Sequence, residues 1–376
     1  YNVRASSGNY NTEIGAPLTI LNQKSGGRNI FKWFLILWQS WWSLLVKTDK
    51  NYPEILILEM AADHRGDIEY LVKLAPCKIG IITAIGPSHL EFFGSLEKVI
   101  EEKVKIISHL SEKNFAILNA DDEEVVKLVN CTPAQIILYG LNESTNFKAT
   151  EISYAENGQG IMCKVSDGTS NYPAHFKNIL SLVQLNSLLA ALSVAQIYKI
   201  KMEEAIKNLE DFKFPAGRLN LLPGIKHTQI IDDTYNSSPK AVKVALEVLS
   251  KIPCRSRRWA VLGDMLELGN YTSTAHREVG EWACQFKVDL LVTVGEKSTD
   301  TLQAAEDNGL APEKVYNFDT ADEAKKFIQK EIKAGDLILV KGSQSMRMEK
   351  IVKEIMTEPE NAKDLLVRQY GKWLDF

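Results

Sequence analysis

Four times between residues 228 and 345 an apolar run with no alternation passes into polar residues and then a helical pattern: TQIIDDTYNSS (228–238), WAVLGDMLELG (259–269), LLVTVGEKS (290–298) and DLILVKGSQS (336–345). A run of this kind is a strand buried on both faces, so it needs helices on both sides of a mostly parallel sheet. That arrangement carries the polar strand ends to one rim, where open α/β sheets bind ligands. The first run is the richest in chemistry. Asp232 and Asp233 close its strand, Tyr235 and Asn236 follow, and Pro239 opens the next helix. Taken alone, these residues slightly favour a strand-to-helix turn whose Asp, Asn and Ser only cap backbone groups. Recurrence of the construction favours a binding rim.

At 376 residues the chain has room for two or three domains. A net charge of -4 leaves no basic footprint, which excludes nucleic acid as the expected partner. The five cysteines are scattered and include no CxxC pair, so neither a disulfide frame nor a zinc knuckle is indicated and a reducing cytoplasm fits. The segment FPAGRLNLLPG (214–224) has two prolines, two glycines and no periodicity, and we place a domain boundary between 215 and 216, with Arg218 on the hinge.

Ahead of that boundary, GNYNTEIGAPLTIL (8–21) reads as a loop running into a helix, with Asn11 a turn former or a ligand contact. NIFKWFLILWQSWWSLLV (29–46) carries four tryptophans; it reads as a helix packed on the sheet, with a membrane-surface contact as the minority reading. EILILE (54–59) and IGIITAIG (79–86) read as strands of one βαβ unit that would bring Glu59 and His89 to a shared rim, as a two-ligand metal site or a hydrogen-bonded pair. SLEKVIEEKVKIISHL (95–110) is an amphipathic helix with Lys103 on its flank, by default a solvated charge. NFAILNADDEE (114–124) adds a strand ending at Asn119, QIILYG (135–140) another, and from 147 to 176 alternation indicates antiparallel hairpins.

These stretches together resemble the Mur ligases, in their MurF-type branch. The likeness rests on GNYNTEIGAPLTIL, LILEMAADHRGDIEYL, ITAIGPSHLEFFGSLEKVIEEKVKI, LNADD, AGRLNLL, IIDDTYNSSPKAVKVALEVL, AVLGDMLELG with His276, and LVKGSQSMRMEKIV, in family order over nearly the whole chain. It implies a central P-loop-type ATPase domain, mostly parallel with a small antiparallel part (1–215), then a Rossmann-like doubly wound domain (216–376). It also implies a cytoplasmic, monomeric ligase that uses ATP and Mg²⁺ to join D-alanyl-D-alanine to UDP-N-acetylmuramoyl-tripeptide through an acyl phosphate, chemistry that rests on positioning and charge neutralisation.

By position the resemblance makes Glu59 and His89 the Mg²⁺ ligands and Lys103 the counterpart of a lysine carboxylated in sister ligases. Arg218 matches the phosphate-reaching hinge arginine. Asp232, Asp233 and Asn236 match the nucleotide-binding turn, with Asn119 and Asn186 as further nucleotide contacts. Asn11, Asp264, His276, Lys341 and Ser343 fall on the substrate side, Lys341 also counting with Lys103 and Arg218 among the catalytic set.

Three departures from the family pattern bear on this. No G-x-x-G-K occurs, and the chain opens at Tyr1 in mid-domain, so it is expected to be a fragment lacking the amino-terminal domain and the phosphate loop, and to turn over little by itself. Ala84 stands where the family carries Asn, and 178–191 lacks the usual G-x-H before its helix. The alternatives are a Mur-type or folylpolyglutamate-type ligase for another amino acid, and a non-catalytic nucleotide-binding paralogue.

Overall fold

The computed structural model describes all residues except 7, 9, 47–51, 87–89, 144, 157 and 375–376. The chain forms two compact units, Tyr1–Lys148 and Ala149–Phe376.

In the first unit, β1 (Val3–Ala5) and β2 (Ile55–Ile57) make a two-stranded parallel ribbon. β3 (Ile79–Ile82), β4 (Phe115–Asn119) and β5 (Gln135–Gly140) pair in parallel, and β5 continues in parallel onto the start of β6 (Phe147–Tyr154). The strands at 54–59 and 79–86 therefore do not form the expected βαβ unit, because they lie in different sheets: β2 takes β1 as its partner and β3 takes β4. Ile82, Val99, Ile107, Leu110, Ala116 and Leu118 close a core over β3 and β4. The amphipathic segment from 95 to 110 supplies part of that core as two short helices, Leu96–Lys103 and Lys105–Ser108, rather than one.

In the second unit, β7 (Ile161–Ser166) and β8 (Asn171–Phe176) form the antiparallel hairpin that alternation predicts. A six-stranded sheet follows, built from β9 (Asn220–Gly224), β10 (Thr228–Asp233), β11 (Arg258–Gly263), β12 (Leu290–Val294), β13 (Val315–Phe318) and β14 (Leu337–Lys341), in the order β13-β12-β11-β14-β10-β9. All pairings are parallel except that of the edge strand β9. Unbroken apolar strands dictate this layering, because successive side chains point to opposite faces and both must be covered. Ile231, Ala260, Leu262 and Leu339 pack into one core with the helix Pro239–Lys251, while Ile230, Trp259, Val261, Val340 and Ile338 pack into the other with the helix Glu349–Ile355. Because β14 returns between β10 and β11, the carboxyl ends of β10, β14 and β11 lie side by side.

Candidate functional site

The rim of the second unit begins at Asp232. It is wholly buried and accepts hydrogen bonds from the backbone N–H of Gly217 (3.1 Å) and the hydroxyl of Thr234 (2.6 Å). Burial pushes its carboxyl up to about 6; the Thr234 hydrogen bond opposes that rise and the Asp233 charge adds to it. Asp233 takes the ammonium of Lys341 at 2.7 Å, and the same Nζ donates to the Asn236 carbonyl at 2.8 Å. Asp233 and Lys341 are register partners on β10 and β14, and Lys341 is 3% exposed, so this is a buried ion pair that ties two strand ends to the turn. Desolvation of both charges is offset only because each has a well-placed partner.

The segment AGR is fastened to this turn. Gly217 accepts from the Tyr235 N–H at 3.1 Å with φ of 69°, and a side chain there would bring a Cβ within 2.8 Å of the Tyr235 nitrogen. Arg218 is exposed and lays its guanidinium over the Tyr235 ring, 3.9 Å from the centroid. Its carbonyl is held by Gln184 Nε2 at 2.9 Å, and Gln184 forms a capping box with Ser181 at the start of the helix Leu182–Ile197. Asn186 lies half-buried on the same helix.

The tail after Met356 matches none of the motifs above, and the structure supplies its role. Arg368, 4% exposed, donates to the carbonyls of Thr234 and Tyr235 and to the Glu349 carboxylate, so it clamps the turn from behind. No periodicity or motif marks it; the sole signal was a lone arginine in a polar tail.

The neighbouring strand ends are joined by a second buried network. Asp264, just beyond β11, accepts from the Ser298 N–H and hydroxyl, and its carbonyl takes the N–H of Ser343 at 3.1 Å. The Ser343 hydroxyl in turn accepts from the Leu266 N–H at 2.9 Å. Gly295 permits this contact, because a Cβ on it would come within 2.5 Å of the Asp264 carboxylate. His276 is 1% exposed, and both ring nitrogens are engaged: Nε2 accepts from the Met265 N–H at 3.0 Å and Nδ1 donates to the Thr272 carbonyl at 2.8 Å. A carbonyl can only accept, which fixes the Nδ1–H tautomer in this arrangement.

In the first unit, Asn11, Glu59 and Lys103 line one cavity of about 290 Å³ together with Asp63, Phe93 and Val99. Glu59 is exposed and accepts from Asn11 Nδ2 at 3.2 Å. Lys103 is not a solvated surface charge here: burial lowers the pKa of its ammonium, and its amine has no hydrogen-bond partner among the described residues. Asn119 works as a tie at the end of β4, donating to the Thr83 carbonyl at 2.8 Å and accepting from the Asp121 N–H at 3.0 Å. His89 lies outside the described residues. Among the described residues no group of three or more His, Cys, Asp and Glu side chains is arranged to hold a metal ion. The oxygen donors of Glu59 and Asn11 at an open cavity suit a hard cation such as Mg²⁺, which keeps most of its waters and asks the protein for one or two carboxylates.

Residues 42–195 match the Mur ligase middle domain, and residues 217–344 match the domain described as Mur ligase, glutamate ligase domain. Among relatives, UDP-N-acetylmuramoyl-tripeptide--D-alanyl-D-alanine ligase of Bacillus subtilis is 28% identical, over 96% of this chain and 71% of its own length. The protein of the same name from Mycobacterium tuberculosis is 27% identical, over 91% of this chain and 65% of its own length. The chain thus spans about two thirds of these relatives. The crystal structure of MurF ligase from Thermotoga maritima in complex with ADP superimposes with a TM-score of 0.75 at 27% identity, covering 96% of this chain and 74% of that one. With both domain descriptions matched in order, and with relatives and structure agreeing over nearly its whole length, the chain belongs to the Mur ligase family.

Proposed function

We propose that the chain serves an ATP-dependent ligase that joins D-alanyl-D-alanine to UDP-N-acetylmuramoyl-tripeptide in peptidoglycan precursor synthesis. The observation that carries this reading is the likeness to the Bacillus subtilis enzyme of that name over 96% of the chain. We assign residues 1–215 to the nucleotide-handling domain and 216–376 to the acceptor-side domain, in keeping with the domain matches on either side of 196–216. In such a reaction the terminal carboxylate of the tripeptide attacks the γ-phosphate of ATP and ADP leaves. The amine of D-alanyl-D-alanine then attacks the acyl carbon, loses a proton and expels phosphate.

Mg²⁺, held by Glu59 and His89, would neutralise phosphate charge when bound. The chain's own groups do the positioning. Lys103 offers a partly desolvated cation or amine in the Glu59 cavity, where its charge acts in a medium of low polarity. Arg218 presents a guanidinium whose donors are not hydrogen-bonded among the described residues, over the Tyr235 ring and ready for phosphate. Asn236 and the Asp232–Asp233 turn offer polar groups to the nucleotide, with Asn119 and Asn186 as further contacts. Asn11, Asp264, His276, Lys341 and Ser343 are assigned to the substrate side.

The test is ADP release by the full-length protein that carries this chain, given ATP, Mg²⁺ and UDP-N-acetylmuramoyl-tripeptide, with D-alanyl-D-alanine, glutamate or meso-diaminopimelate as acceptor. Release that depends on D-alanyl-D-alanine and is abolished by Glu59→Ala supports the reading. Dependence on another acceptor would move the protein to a different ligase of the family, and no nucleotide binding at all would reject the enzyme assignment.

A further inference from the structure

The helix Ile30–Val46 is built the wrong way round for a helix that packs on its own protein. At 3.6 residues per turn, Lys32, Gln39, Ser40 and Ser43 share the stripe of Ile36, the one residue of the helix described as buried. The opposite half of the surface carries Phe31, Phe34, Trp38, Trp41, Trp42 and Leu45, all exposed, Phe31 by 83% and Leu45 by 58%. The polar stripe is further muted because the Ser40 and Ser43 hydroxyls donate back to the helix carbonyls of Ile36 and Ser40. An apolar face of this size on a soluble body marks an interaction surface.

Charge indicates what covers it. From residue 14 to residue 48 the sequence has no Asp or Glu but has Lys24, Arg28, Lys32 and Lys47, whereas the whole chain carries -4. A second copy docked through this face would bring basic flanks together, whereas an anionic surface would meet them favourably. The helix spans only about 25 Å, and no helix among the described residues is long and apolar enough to cross a membrane. Tryptophans beside lysines on an apolar helix suit the boundary between lipid headgroups and chains. We propose that Ile30–Val46 lies in the surface of an anionic lipid bilayer, its Phe and Trp side chains below the headgroups and the basic residues in and beside it among them.

The protein should float with vesicles of equimolar phosphatidylglycerol and phosphatidylcholine, less so in high salt, and weakly with phosphatidylcholine alone. Replacing Phe34, Trp38 and Trp41 by Ser should lower the bound fraction on the order of tenfold or more without changing the circular dichroism spectrum. In the unaltered protein, lipids brominated on their chains should quench tryptophan emission, a readout that needs no variant. Absence of flotation and quenching, equal binding to phosphatidylcholine alone, or equal flotation of the triple variant would overturn the proposal. So would a dimer in vesicle-free solution that the triple variant dissolves, because the face would then belong to a second copy.

Discussion

Replacing Arg368 by Met removes a buried guanidinium and leaves its partners in place. Glu349, wholly buried, keeps Arg347 Nε at 2.6 Å on one oxygen but loses both Arg368 contacts, at 3.0 and 3.1 Å, on the other. The carbonyls of Thr234 and Tyr235 lose their donor as well. Breaking a buried ion pair from one side costs about 3–5 kcal/mol when the remaining charge has no compensation, and the retained Arg347 contact sets the loss here toward the lower end of that range. That is a large share of the roughly 5–15 kcal/mol that holds a domain folded. We expect the guanidinium chloride midpoint of the second unit to fall accordingly, and amide exchange in 232–236 to rise more than in β12. The double variant Arg368→Met/Glu349→Leu should recover only part of the stability, since it removes the buried carboxylate but also takes from Arg347 Nε its partner at 2.6 Å. Amide exchange in 232–236 should stay raised in it, since the turn carbonyls remain unclamped. A loss below about 1 kcal/mol in the single variant would refute the clamp.

Asp232 gives a pH signature. Its folded pKa of about 6 lies above the ordinary 3.8, so the folded protein holds the extra proton between those values and loses stability as pH rises from about 4 to about 6. The total is about 3 kcal/mol, and denaturant midpoints across that range should show the slope in the parent and not in Asp232→Asn. Glu102, 1% exposed, accepts from the N–H groups of Gly66 (3.0 Å) and Ile68 (2.9 Å) at the start of the helix Asp67–Leu74; Glu102→Ala should destabilise the first unit by about 1–3 kcal/mol in thermal melts. Nitrogen NMR of His276 in the neutral ring should report the Nδ1–H tautomer, and the other tautomer would contradict its bond to Met265.

The doubly wound sheet was legible because burial on both faces leaves an unmistakable trace, as Ile230 and Ile231 show by entering opposite cores. The edge strand β9 was not, because Pro223 and Gly224 read as a linker; proline is tolerated there since an edge strand needs only one side of its ladder. The direction of the helix Ile30–Val46 was also misread. Its composition matches a core helix, and only the placement of Lys32, Gln39 and the serines beside Ile36 reveals that the apolar side faces outward. Arg368 escaped notice for a different reason: its partner Thr234 lies 134 positions away, and a single long-range ion cluster has no period.

Polarity at the strand ends also divides by whether it is already consumed. Lys341 and Asp233 satisfy each other, Asp264 is taken up by Ser298, and His276 has spent both nitrogens on backbone groups, so these four hold the rim in shape. Any ligand contact from them must come through capacity left over, such as the second oxygens of the carboxylates. Arg218 and Ser237 differ, since among the described residues neither the guanidinium nor the buried Ser237 hydroxyl has a hydrogen-bond partner. A buried hydroxyl without a partner costs about 1–3 kcal/mol, which the fold carries on the very turn that holds Asp232 and Asp233. Loss of Lys341 should therefore disorder the rim and weaken every ligand together, whereas Arg218→Ala should spare the fold and weaken phosphate-bearing ligands alone. Equal loss of stability in the two variants, measured by denaturation beside ADP titration, would erase that division.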